Sequence, residues 1–177
     1  MASGANPKLN SELVAFFNTG DQPSETEFGY LIDSITPNPV YLPDATSTTL
    51  TKDTYQGRTL LAKDLSQNST FTIEAPAAAG ERYQFVFTGD GSSAEDTCAA
   101  ENHIFTVTTA NYEGRVQWIN TTDTTATGEA RGPDLASSHK TLTITAPCSY
   151  EINMISYSTS LMYVWGWVGA DATPDFS

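Results

Sequence analysis

The stretch Thr59–Phe87, TLLAKDLSQNSTFTIEAPAAAGERYQFVF, decides the fold class. Three short runs within it alternate: Thr59-Leu60-Leu61-Ala62, Thr70-Phe71-Thr72-Ile73 and Arg82-Tyr83-Gln84-Phe85-Val86-Phe87. Residues two apart share one face of a strand. Phe71 and Ile73 therefore fall together, as do Tyr83, Phe85 and Phe87, which is the period of half-buried strands. Asp64–Ser69 reads as a polar turn. Ala75–Glu81 reads as a loop, in which Pro76 removes a ladder donor and Gly80 permits a turn. The stretch is predicted to form strand, turn, strand, loop, strand within one antiparallel sheet.

Outward from that unit the β signal continues on both sides. Candidate strands are Thr48–Leu50, Arg58–Ala62, Ser69–Glu74, Arg82–Thr88, His103–Thr109 and Gly114–Ile119, followed by Thr141–Ala146, Tyr150–Tyr157 and Met162–Val168. Many short strands separated by turn residues predict an antiparallel β-sandwich or jelly-roll-like barrel rather than a parallel α/β sheet. Gly89–Asn102 and Asn120–Ser138 are long polar stretches of small residues, expected as loops.

The N-terminal part has a different period. After a small polar arm, Leu13, Phe16 and Phe17 make one apolar helical face, and Asn18-Thr19-Gly20 ends it. Ser24 with Glu27 forms a capping box for a second helix, whose buried stripe is Phe28, Leu31, Ile32 and Ile35. Pro37 and Pro39 stop that helix. The chain thus divides into an arm and helical hairpin, residues 1–39, and a β domain, residues 40–177. A hairpin this small must pack on the β domain or on another protein.

Composition excludes several function classes. The chain has 177 residues, 8 Lys and Arg against 21 Asp and Glu, and a formal net charge of -13. Such a surface repels phosphate backbones and anionic bilayers, so neither nucleic acid nor membrane is expected as a partner. No apolar run approaches the roughly 20 residues of a spanning helix. The start, MASGANPKLN, has no apolar segment of a secretory signal, so synthesis in a cytoplasm is expected. Cys98 and Cys148 are not spaced for zinc. A bond between them stays open, although a cytosol favours thiols.

Catalytic chemistry finds little support. His103 and His139 have no neighbouring Ser or Cys in a nucleophile setting, and no phosphate loop, G-x-G-x-x-G or H-E-x-x-H occurs. No cofactor is expected. Asp90, Glu95 and Asp96 offer hard oxygen ligands, but they lack the alternating order of a calcium loop and read as a solvated turn. In Met162-Tyr163-Val164-Trp165-Gly166-Trp167-Val168, alternation puts Tyr163, Trp165 and Trp167 on one face. Met162, Val164 and Val168 take the other. With both faces apolar, a core strand or one covered by a subunit is expected ahead of a sugar-stacking platform.

The order of these pieces resembles that of tailed-bacteriophage virion structural proteins, the capsid decoration or cement proteins of marine and cyanophage type among them. Glu12–Phe28 followed by Leu31-Ile32-Asp33-Ser34 resembles their N-terminal helical hairpin. Gly57–Leu61, Thr70–Ile73, Pro76–Gly80, Tyr83–Phe87, His103–Val107, Met162–Gly166 and Pro174–Ser177 resemble their β module. The resemblance implies a non-enzymatic protein on the outer surface of the virion capsid, made in the host cytoplasm. It also implies a homotrimer seated on the major capsid protein. In that setting Leu13, Phe16, Phe17, Phe28, Leu31 and Ile32 would meet capsid or a neighbouring subunit, and Trp165 and Trp167 would serve self-association. A tail- or fibre-associated adhesin, binding host saccharide through the long loops and exposed aromatics such as Trp118 and Trp167, is the alternative.

Overall fold

The computed structural model describes residues 24–25, 39–62, 66–87, 101–122, 128–133 and 138–177. Within them the chain is mainly β. Its first elements are β1 (Val40–Tyr41), β2 (Ser47–Leu50), a single helical turn α1 (Lys52–Tyr55), β3 (Thr59–Leu61), β4 (Ser69–Ile73), β5 (Arg82–Phe87) and β6 (His103–Val107). Then come β7 (Asn111–Asn120), β8 (Glu129–Arg131), β9 (Thr141–Ile144), β10 (Cys148–Ser158), β11 (Leu161–Ala170) and β12 (Asp175–Phe176). Each of the strands expected from the sequence is present. Of the N-terminal hairpin only Ser24 and Glu25 are described; Leu13, Phe16, Phe17, Phe28, Leu31 and Ile32 lie outside the described residues. Asp90, Glu95, Asp96 and Cys98 lie outside them too.

The strands build two sheets, and both are mixed rather than antiparallel. One has seven strands in the order β1-β3-β5-β10-β11-β7-β8, the other five in the order β12-β9-β6-β4-β2. Strands β3, β4 and β5 do not form a meander. β3 and β5 pair in parallel, Leu60 opposite Phe85, while β4 lies in the other sheet between β2 and β6. From β1 to β6 the chain changes sheet at every connection, so same-sheet neighbours run the same way and pair in parallel. The connections after β3 and β4 thus lead into the other sheet rather than to a neighbour in the same one. The tight hairpin is β10 to β11, joined through Thr159 and Ser160.

The segment read as a polar loop from Asn120 to Ser138 contains β8. It pairs antiparallel with β7, Gln117 opposite Ala130. An edge strand with no apolar alternation leaves no period to read, which is why sequence patterning misses it.

Alternation correctly names the core. Phe71, Ile73, Tyr83, Phe85 and Phe87 are all buried, with Tyr150, Ile152, Met154, Met162, Val164 and Val168 from the long hairpin. The inner faces meet through aromatic rings: Phe85 of β5 lies 4.6 Å from Phe105 of β6, and Phe105 stands edge-on to Tyr150 at 5.7 Å. Pairs at such spacing add to what their buried area contributes. The Ala75–Glu81 loop is fastened by one carboxylate. Oε1 of the buried Glu81 accepts from the Ala77 and Ala78 amides at 2.9 and 3.2 Å, with Lys52 Nζ at 3.7 Å. Ser156 Oγ accepts from the Glu81 amide at 2.9 Å and donates to the Ala78 carbonyl at 2.6 Å.

β11 sits near the middle of the larger sheet, antiparallel to β10 and parallel to β7. Gly166 within it has φ 142°, and a Cβ there would lie 2.0 Å from the Glu151 carbonyl oxygen of β10. Gly57 has φ 73° with open space around it. Gly166→Ala is therefore expected to cost roughly 3 kcal/mol or more, from strain plus a backbone clash. Gly57→Ala is expected to cost about 1 kcal/mol, from strain alone. Urea denaturation followed by circular dichroism compares them; equal losses would show that the close approach at Gly166 does not matter.

Candidate functional site

Strand period fixes what the larger sheet shows to its outer side. On β11 the inner positions are Met162, Val164 and Val168, all buried. The outer ones are Tyr163, Trp165 and Trp167, with Tyr163 44% and Trp165 40% exposed and Trp167 half-buried. The two faces separate as alternation predicts. Tyr163 and Trp165 stack obliquely, 6.0 Å between centroids. Aromatic rings of this size on an outer sheet face contribute little to the core and are available for contact.

Register places specific polar groups beside each ring. Trp165 lies opposite Asn153 of β10 and Arg115 of β7, and Asn153 lies opposite Gln84 of β5, which lies opposite Thr59 of β3. Thr59-Gln84-Asn153-Trp165-Arg115 is thus one row across five strands, roughly 19 Å wide at normal strand spacing. Thr59 Oγ1 donates to Gln84 Oε1 at 2.8 Å, and Gln84 Nε2 donates to Glu151 Oε1 at 3.0 Å, which holds the Gln84 amide at both ends. The next row, Leu61-Val86-Glu151-Trp167-Gln117, is more apolar. Beside the Trp165 row lies an open cleft of about 230 Å³, lined by Arg58, Thr59, Arg82, Gln84, Asn153 and Trp165 among others.

Trp118 does not belong to this face. It is opposite Val168 in register and shares the inner side of β7 with Val116. Its Nε1 donates to the Ala170 carbonyl at 3.0 Å, and the Arg131 guanidinium covers its ring at 5.3 Å. Trp118 and Trp167 therefore cannot form one platform, and Trp165 is the ring with polar neighbours. Sequence patterning does not bring Arg58, Arg82, Gln84 and Asn153 together, because their neighbourhood depends on β5 pairing with β3 on one side and with β10 on the other. The signal it does carry is that Arg82, Gln84 and Asn153 each sit beside a core position.

His103 is a core residue. It is buried, with its ring 4.7 Å from Phe87 and edge-on to Phe71 and Tyr150 at 6.2 and 5.5 Å. Its Nδ1 lies 2.6 Å from Tyr150 Oη, and its Nε2 is buried with no hydrogen-bond partner. Cys148 is buried as well. Among the described residues no cluster of three or more His, Cys, Asp or Glu side chains could hold a metal ion. No protein-family model, no curated protein and no solved structure matches this chain.

Burial pushes the His103 pKa from 6.5 down to about 4. Between those values the unfolded chain holds a proton that the folded chain refuses. The contribution of this group to stability is full above pH 6.5 and falls as pH drops toward 4, by about 3 kcal/mol in all. His103→Gln removes the titrating group. The stability difference between the native chain and this variant is expected to shrink by about that amount from pH 7 to pH 4. A difference that stays constant in urea titrations across that range would contradict a buried neutral imidazole.

Proposed function

We propose that this chain is a non-enzymatic virion structural protein, a jelly-roll-like β-sandwich that decorates and stabilises a mature phage capsid. The observation that supports it best is the line of aromatics on the outer face of a central strand whose other face fills the core, with Tyr163 and Trp165 exposed and Trp167 half-buried. A scaffold of this kind presents a surface without having to move. The virion setting comes from the sequence resemblance. In this reading residues 1–39 contact the major capsid protein, using Leu13, Phe16, Phe17, Phe28, Leu31 and Ile32. Three copies associate through the more apolar Trp167 row, where Val86 lies between Leu61 and Glu151, and through Ile119 on β7, 45% exposed. Binding that favours the assembled shell stabilises it by mass action. The acidic charge keeps the particle away from nucleic acid and from its neighbours.

The cleft beside Trp165 favours a second reading, an adhesin on the tail or a fibre. Antibody raised to the recombinant chain and applied to particles from the source lysate separates the two. Gold over the whole head is the expected result, and a chain lacking residues 1–36 is expected no longer to sediment with purified heads. Gold confined to the tail tip would replace decoration by adhesion. Labelled cells with unlabelled particles would contradict both readings.

A further inference from the structure

We propose that the cleft beside Trp165 binds an acidic saccharide, a pyranose carrying a carboxylate, and that it does so whether the chain sits on head or tail. Charge is the first argument. The chain carries -13 overall, yet the cleft is lined by two arginines, Arg58 and Arg82. Neither forms an ion pair with any described residue. Arg58 also holds its Nε buried with no hydrogen-bond partner. A buried donor without an acceptor is costly and uncommon, and a carboxylate supplies the acceptor with geometry that a guanidinium fork matches.

The second argument is shape and polarity. Trp165, 40% exposed, offers a flat π-face whose negative quadrupole suits the C–H face of a pyranose. The Asn153 amide is opposite it in register and has no side-chain partner among the described residues, so its donors and acceptor are free for ring hydroxyls. Gln84, next in the row, is held by Thr59 and Glu151 and so presents its amide in one orientation. One aromatic face with a few placed polar groups is how small polar ligands are oriented. Glu151 lies opposite Trp167, away from Arg82, and Ile155 opposite Arg82 carries no charge. A ligand carboxylate is therefore turned toward Arg82 and Arg58.

The test is a titration of the full chain, followed by calorimetry, with oligogalacturonate, oligoalginate, hyaluronan oligosaccharide and sialyllactose. A neutral cello-oligosaccharide and inorganic phosphate serve as comparisons. Saturable binding of at least one acidic saccharide is expected, with Trp165→Ala and Arg82→Gln each weakening it about tenfold or more. The neutral sugar is expected to bind at least about tenfold more weakly. Arg82 is exposed, so its replacement leaves the fold intact. No binding to any of the four acidic saccharides would overturn the proposal. Phosphate competing as well as the sugar would reduce the site to a plain anion site and overturn it too. So would self-association of the native chain that Arg82→Gln abolishes, since a second acidic copy would then be the occupant. None of these results bears on where the chain sits on a virion.

Discussion

The contact between Phe85 and Phe105, 4.6 Å across the space between the two sheets, embodies the constraint on which the rest of the structure depends. Each sheet can bury one face only against the other. The chain meets that requirement by crossing between sheets at every connection from β1 to β6. Every crossing places the next alternating run opposite the last, so Leu60, Phe71 and Phe85 enter one core from two sides. Parallel pairing of β3 with β5 and of β4 with β6 follows directly from this path. Tyr150 of the long hairpin completes the aromatic layer against Phe87 and Phe105.

That path also determines what can be functional. β10 and β11 extend the larger sheet with their inner residues completing the core, and Gly166 lets β10 approach closely. The outer residues of β11 are then left over from folding. Their neighbours are chosen by register rather than by sequence proximity. Thr59, Gln84 and Asn153 come from three strands that meet only because β5 lies between β3 and β10. Trp165 sits among amides and guanidinium groups, while Trp167 sits nearer to Leu61 and Val86. One strand thus offers two surfaces of different chemistry.

Much of the fold is legible in the sequence. Tyr83-Gln84-Phe85-Val86-Phe87 names its buried side chains, because alternation reports which face a residue takes. It is silent about which strand lies alongside. The connections after β3 and β4 contain no Asn-Gly or Asp-Gly hairpin signal, and reading them as turns within one sheet yields a meander that the chain does not form. The same silence hides the site. Trp165 and Trp167 are visible as an aromatic row, whereas Arg82 joins it only through the pairing of β5 with β10, and Arg58 only through the parallel pairing of β3 with β5. Trp118 looks equivalent to Trp167 in composition, yet lies on the inner side of β7 with its indole N–H bonded to Ala170. His103 looks like any polar residue at a strand start, and only the rings of Phe71, Phe87 and Tyr150 around it reveal a core position.

The central claim is that the outer aromatics of β11 serve recognition and are not needed to hold the fold. It is tested most directly by comparing urea denaturation of Trp165→Ala with that of Val164→Ala, adjacent residues on opposite faces of one strand. A recognition surface predicts that Trp165→Ala stays within about 0.5 kcal/mol of the native chain. Val164→Ala should lose about 1–3 kcal/mol through its cavity. If Trp165→Ala costs as much as Val164→Ala, the ring is part of the scaffold and the outer face is not the surface through which this protein acts.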